Sequence, residues 1–405
     1  MPHNLTGSEF RRRAFDLKLC YTRRLIALFD VAPFRGLVPD TEHAKPRRLI
    51  GGRLPPPPAG VFAEPPGFHG VRVDGERVEA AFEALLAQMR PTLWAPRDKL
   101  SILALSGGGA GGAFGAGALV GLTKANARPR FQIVTGVSTG ALIAPFAFLG
   151  PEWDERLTDA FTGGHSAALL SVRGFTGLGA GLYRSDPLEA LVSRFMAPDV
   201  VEAVGREHLA GRRLFVATTN LDTQRPIIWD MGAIAAHGGD EALKLFIDVL
   251  TASASLPGLF PPRMMDVEAQ GEIYQEMHLD GGVCAPLFIA PEDLVLNPAV
   301  RRALRGGGVY AIVNTTLDTV DRVTPLGAMP IAVRSFETML RFSYRAAVQS
   351  AAAFCDRHDL SFKSASIPND YAGSNMLKFD KAVMLAIFDH GVRLAEAGEL
   401  WNQRR

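Results

Sequence analysis

"ILALSGGGAGGAFGAGAL" occupies residues 102–119. An apolar run passes straight into a stretch almost devoid of side chains. Glycine costs backbone entropy in any ordered element, so glycine at this density marks a place where the backbone itself must approach something. Three partners fit: a phosphate, an oxyanion or another helix. The apolar run before the glycines is short and unbroken, the pattern of a strand buried on both faces of a parallel sheet.

The phosphate readings fail on neighbouring residues. A P-loop needs Lys followed by Ser or Thr after its last glycine, and here Gly112 precedes Ala113 and Phe114. Residues 107–112 do satisfy G-x-G-x-x-G, but a dinucleotide site also wants an acidic residue about 20 positions on to hold the ribose. From Gly112 to Pro151 there is no Asp or Glu; Glu152 is the first. The oxyanion reading remains. Amides at a helix N-terminus point outward, and the dipole favours developing negative charge.

That reading needs a nucleophile, and the next turn supplies one. "GVSTG", Gly136 to Gly140, is G-x-S-x-G between an apolar strand ("FQIVTG") and a small-residue helix ("TGALIAPFAFL"). In that context it reads as a nucleophile elbow, with Ser138 pushed out of the sheet top and Gly136 and Gly140 removing side chains where strand and helix cross. A serine hydroxyl needs a base. Two kinds are available. His358 and His390 lie downstream in charged, helical surroundings, and His278 lies two residues before Asp280. The other is Asp280 itself, in "HLDGGV" at an apolar strand end, followed by Gly281 and Gly282. A parallel strand ending near Ser138 would bring that carboxylate to the catalytic edge of the sheet. Asp-Gly is also a common turn signal.

The fold class expected is α/β, a three-layer α/β/α arrangement with a largely parallel central sheet. From Lys99 onward strands and helices alternate: strands at "RLFVATTN", "PIIWDM", "EMHLDGG" and "GVYAIVNTT", helices at "DPLEALVSRFM" and "DEALKLFIDVLTAS". Residues 1–98 read as an N-terminal extension. It holds a basic arm, the proline-glycine segment "GGRLPPPPAGVFAEPPGFHG" (51–70) and a helical periodicity over 75–89 on Val78, Ala81, Phe82, Leu85 and Met89. Residues 99–330 form the catalytic domain. Residues 331–405 are expected to be a mostly helical part packed on it, interrupted near "SIPNDYAGS".

Three motifs taken together resemble the patatin-like phospholipase family: Gly107-Gly108-Gly109 after one strand, Gly136-Val137-Ser138-Thr139-Gly140 after the next, and Asp280-Gly281-Gly282 far downstream. "TTNLDTQRPIIW" (218–229) and "TASASLPGLFPP" (251–262) resemble it too, and the likeness covers roughly residues 99–290. It implies lipid acyl hydrolysis by a Ser-Asp dyad without histidine. Ser138 is then the nucleophile and Asp280 the base, and the amides of Gly107, Gly108 and Gly109 line the oxyanion hole. One residue departs from the pattern. The family carries Arg or Lys two positions after the third glycine, and this chain has Gly111.

Composition bounds the partners. Of 405 residues 47% are hydrophobic, enough for a sizeable core, and the net charge of +1 favours neither nucleic acid nor an acidic partner. The three cysteines, Cys20, Cys284 and Cys355, form neither a disulfide framework nor a metal pattern. No cofactor or metal is expected. "LIALFDVAPF" (25–34) is interrupted by Asp30 and too short to span a bilayer. The expected location is cytoplasmic, and the arm that joins Arg11–Arg13, Arg23 and Arg24 to Leu25, Ile26, Leu28 and Phe29 either makes peripheral contact with an anionic membrane surface or packs on the catalytic domain. The expected substrate is an acyl-ester lipid, and "SVRGFTGLGAGLYRS" (171–185) either lines or gates the acyl site or simply spans two core helices. A thioester, a storage polyester or mere lipid binding are the alternatives. The oligomeric state is not legible.

Overall fold

The computed structural model describes residues 53–75, 100–170, 180, 186–289, 308–319, 321–357, 360–369, 371 and 377–401. The N-terminal arm, the periodic stretch 76–89, His358 and all but Ala180 of the loop 171–185 lie outside these residues.

The strands are β1 (Arg72–Asp74), β2 (Ser101–Leu105), β3 (Ile133–Val137), β4 (Arg213–Asn220), β5 (Arg225–Asp230), β6 (Arg263–Ala269), β7 (Glu272–Asp280), β8 (Gly308–Val313) and β9 (Phe362–Ser366). The helices are α1 (Gly112–Lys124), α2 (Thr139–Leu149), α3 (Asp154–Thr162), α4 (Asp186–Phe195), α5 (Pro198–Leu209), α6 (Met231–His237), α7 (Gly239–Ser253), α8 (Ala328–Arg357) and α9 (Lys381–Glu396).

The sheet runs β1-β5-β4-β3-β2-β8-β9, and its middle, β4-β3-β2-β8-β9, is parallel. β2, β3 and β4 are buried along their whole length, as expected when helices cover both faces. Side chains alternate across the pleat. Leu103, Leu105 and Val134 enter the large core cluster with α1, α2 and α9. Ala104, Ala311 and Val313 pack with Leu340, Tyr344 and Val348 of α8 on the other face. The three-layer α/β/α expectation holds.

Besides β1 and β6, which have no counterpart among the strands read from the sequence, two strands differ from expectation. β7 is antiparallel, not parallel: it pairs β4 through Thr218–Asp280, Thr219–Leu279 and Asn220–His278. β3 pairs the same β4 only as far as Val137–Ala217, while β5 takes the opposite edge through residues 215–220. β3 and β7 therefore approach head-on along one edge of β4. Their C-terminal ends meet where β3 stops. The second difference is β9, a strand within the tail read as mostly helical. Its "FKSAS" carries no apolar run, and it is held as an edge strand by parallel pairing to β8.

The Pro-rich segment binds a β-rich edge. The β1 strand that follows it pairs β5 antiparallel, Glu64 bridges Glu268, and Gln275 N–H donates to the Pro55 carbonyl at 3.0 Å.

The later glycines of the opening stretch serve a helix crossing. A Cβ on Gly117 would lie 2.0 Å from the Phe388 carbonyl oxygen, and one on Gly121 2.6 Å from that of Val392. α1 and α9 thus meet backbone to backbone. α9 starts at an Asp380 side chain that accepts from Val383 N–H, a regular N-cap. Among the described residues no helix is long and apolar enough to cross a membrane.

Gly117→Val forces α9 off α1, and overpacking of this kind typically costs about 1–3 kcal/mol or more. Urea unfolding should show a lower midpoint. The surface change Leu209→Ala, at a side chain 64% exposed, should leave it within about 0.5 kcal/mol.

Candidate active site

The head-on meeting of β3 and β7 builds the site. Ser138 follows the last residue of β3, and Asp280 is the last residue of β7. Ser138 Oγ donates to Asp280 Oδ2 at 2.6 Å. The serine backbone is held at φ 56°, ψ −127°, a region that costs a non-glycine residue about 1–3 kcal/mol. Ser138 N–H donates to Ser253 Oγ at 3.0 Å, and that hydroxyl donates to the Ala217 carbonyl at 2.7 Å. The end of α7 thus pins the strained turn to β4. The flanking glycines are sterically required. A Cβ on Gly140 would lie 2.3 Å from the Leu105 carbonyl oxygen, and one on Gly136 2.6 Å from that of Gly140.

Asp280 is only 3% exposed. Its Oδ1 accepts from Gly282 N–H at 2.7 Å, and its backbone carbonyl accepts from Thr219 Oγ at 3.0 Å. At Gly281 the chain passes so close to β4 that a Cβ would meet the Ala217 carbonyl oxygen at 2.2 Å. Burial pushes the carboxyl up to about 6, against the opposing hydrogen bonds from Ser138 and Gly282.

The glycine turn lies beside Ser138: a Cβ on Gly107 would be 3.0 Å from Ser138 Cβ. Gly109–Gly111 form one short 3-10 turn into α1, whose first internal bond is Gly111 N–H to the Gly108 carbonyl at 3.0 Å. The amides before it sit at the N-terminal mouth, where donors have no intrahelical acceptor. Gly108 takes φ 155° against the end of β8, with a would-be Cβ 2.0 Å from the Asn314 carbonyl oxygen. Asn314 clamps the turn from three sides. Its N–H donates to Ser106 Oγ at 2.9 Å, its Nδ2 to the Ser106 carbonyl at 2.7 Å, and its Oδ1 accepts from Gly115 N–H at 3.1 Å. The same neighbour explains the missing cation. A Cβ at Gly111 would stand 2.1 Å from the Asn314 carbonyl oxygen, so this turn has no room for a side chain.

The histidines go elsewhere. His278 is fully buried, with Nε2 2.9 Å from Glu276 Oε2 and Nδ1 2.9 Å from Thr218 Oγ. Burial drives its pKa down. Burial also opposes the Glu276 charge, but the hydrogen bond to His278 and the Arg72 guanidinium at 2.6 Å win and hold its carboxyl at about 2. This network ties the N-terminal segment to β7. His390 stacks beside Phe114 and Tyr371 on α9, ring centroids 6.4 and 4.9 Å away.

An apolar cavity of about 60 Å³ opens between the two turns. Gly109 and Thr139, from the two turns, line it together with Leu142, Leu191, Phe195 and Phe379. Ser253, Asn314 and the cavity were not read from the sequence. Ser253 and Asn314 lie at ends of elements, in "TASAS" and "IVNTT", and their roles depend on distant backbone.

Asp280 sets a stability cost with a pH signature. Its folded pKa near 6 exceeds the ordinary value near 4, so protonation favours the fold. That contribution is complete below about pH 4 and is lost as pH rises through 6. Asp280→Asn stays neutral throughout. Thermal melts should show its advantage over wild type growing between pH 4 and 7 and level above.

Comparison with known proteins gives this geometry a family. Residues 103–291 match the family model of the patatin-like phospholipases. An Escherichia coli protein named cUMP-AMP-activated phospholipase is 30% identical over 202 residues, 47% of this chain. The match spans 58% of that relative's length. Among solved structures, VipD from Legionella pneumophila aligns at a TM-score of 0.41 with 14% identity, covering 75% of this chain and 67% of its own. The Ser138–Asp280 pair and the glycine turn both fall within residues 103–291, the part of the chain that matches the patatin-like phospholipase family.

Proposed function

We propose that this protein is a lipid acyl hydrolase that cleaves carboxylic esters through a Ser-Asp dyad and an acyl-enzyme. The observation that carries the reading is the 2.6 Å hydrogen bond from Ser138 Oγ to a buried Asp280, at a turn whose next residue, Thr139, lines an apolar cavity. The name of the E. coli relative supports a phospholipid as substrate.

Asp280 takes the Ser138 proton as Oγ attacks the ester carbonyl. The tetrahedral oxyanion faces the amides of Gly107–Gly109. Collapse expels the alcohol, which leaves with the proton held on Asp280, and the acyl chain remains on Ser138. Water then loses a proton to Asp280 and attacks the acyl carbonyl. The fatty acid departs and Ser138 regains its hydrogen. A base whose pKa lies near 6 suits this work: it is ionised at neutral pH yet basic enough to share a proton in the transition state. Thr139 and Gly109 place the acyl carbon at the cavity mouth, and Leu142, Leu191 and Phe195 receive the chain.

The first test is fatty acid release from phospholipid vesicles and from a short-chain ester. Ser138→Ala and Asp280→Asn should each lose at least about 10³-fold in kcat, while His278→Gln, if folded, and His390→Ala keep the dyad and should retain activity. A wild type silent on both substrates overturns the reading. Activity on the short ester alone moves the substrate to a smaller ester. kcat/KM should fall about tenfold per pH unit below pH 6, where Asp280 is protonated. Leu191→Trp should depress hydrolysis of long acyl chains while sparing acetyl and butyryl esters.

A further inference from the structure

α8 runs across the sheet face opposite α1 and sends one polar atom toward the dyad. Tyr344 packs with Leu340 and Val348 against Ala104, Ala311 and Val313, and is only 3% exposed. The ring belongs to the core. The hydroxyl does not: the point where a Cβ on Gly107 would sit lies 2.7 Å from Tyr344 Oη, 3.0 Å from Ser138 Cβ and 3.6 Å from Ser138 Oγ. Gly107 thus leaves a gap bounded by the phenol on one side and the nucleophile on the other. Burial first, and then the Asp280 charge, push the phenol pKa upward. The hydroxyl is therefore protonated at every pH where Asp280 is an active base, and it can only donate to an anion. Asn314 leaves the glycine turn no space for a cationic side chain at Gly111, so a donor from another element has a vacancy to fill.

We propose that Tyr344 is a further catalytic residue, whose Oη–H donates to the oxyanion of the tetrahedral intermediate at Ser138, in the gap that Gly107 leaves. This rests on Ser138 being the nucleophile. No proton changes owner. The hydrogen bond strengthens as charge moves from the carbonyl bond onto oxygen, and it relaxes when the carbonyl re-forms. Such a donor acts on kcat rather than on ground-state binding.

Tyr344→Phe keeps the packed ring and removes only the hydroxyl. It should lower kcat about 10²-fold, with KM and melting temperature near wild type, on both p-nitrophenyl butyrate and hexyl butyrate. 3-Fluorotyrosine at position 344 retains the hydroxyl and should restore the rate. An unchanged kcat in Tyr344→Phe, with Ser138→Ala inactive, overturns the role of Tyr344 and leaves the dyad standing. A loss confined to hexyl butyrate also overturns it, because only the alkoxide leaving group needs a proton. If Tyr344→Phe melts lower and 3-fluorotyrosine recovers stability without rate, the residue is structural. Wild-type activity in Ser138→Ala overturns the dyad reading and this proposal together.

Discussion

One edge of β4 is shared by two strands that run toward each other, and the site depends on that sharing. β3 pairs with β4 up to Ala217, and β7 pairs from Thr218 onward in the opposite direction. The residue after β3 and the last residue of β7 must then face each other across a single step of register. A one-residue slip of β7 would turn Asp280 to the other face, because side chains alternate along a strand. The register is held on both sides of that step. Thr219 bonds the Asp280 carbonyl, and Arg72, Glu276, His278 and Thr218 form a buried polar chain beneath it.

The site is built from groups that oppose folding. Ser138 sits at a positive φ, and Asp280 is a carboxylate removed from water with few donors around it. Both conditions are useful to chemistry: the first exposes the hydroxyl, and the second keeps the carboxylate basic. They persist because neighbouring contacts over-determine them. Ser253 fixes the Ser138 amide from α7, and Gly136 and Gly140 let α2 leave the strand at close range. Each support comes from an element packed in the main core, whose collapse supplies the stability that the site consumes.

The tail belongs to the same body. α9 presses its backbone on α1, β9 extends the sheet, and Phe379 and Met384 line the apolar cavity. The glycine turn is therefore enclosed by chain far from it in sequence. Asn314 blocks it on one side, and the α9 crossing holds the helix that follows it on the other.

The sequence by itself determined the local elements and the chemistry they could carry. Apolar runs bounded by glycine identify β2, β3 and β4, and G-x-S-x-G after a strand identifies the elbow at Ser138. Apart from the family resemblance, Asp280 is legible only as a carboxylate at a strand end, with His278, His358 and His390 still open as bases. Pairing brings Asp280 to Ser138, and pairing is not local: the direction of β7 is set by β4, about 60 residues earlier, and not by "HLDGGV". The same reason hides β9, Ser253, Asn314 and Tyr344. A polar edge strand shows no apolar run, and a tyrosine in a long helix looks like any core aromatic. Only the folded chain decides which backbone lies within about 3 Å of which side chain, because close packing brings residues together by surface rather than by sequence distance.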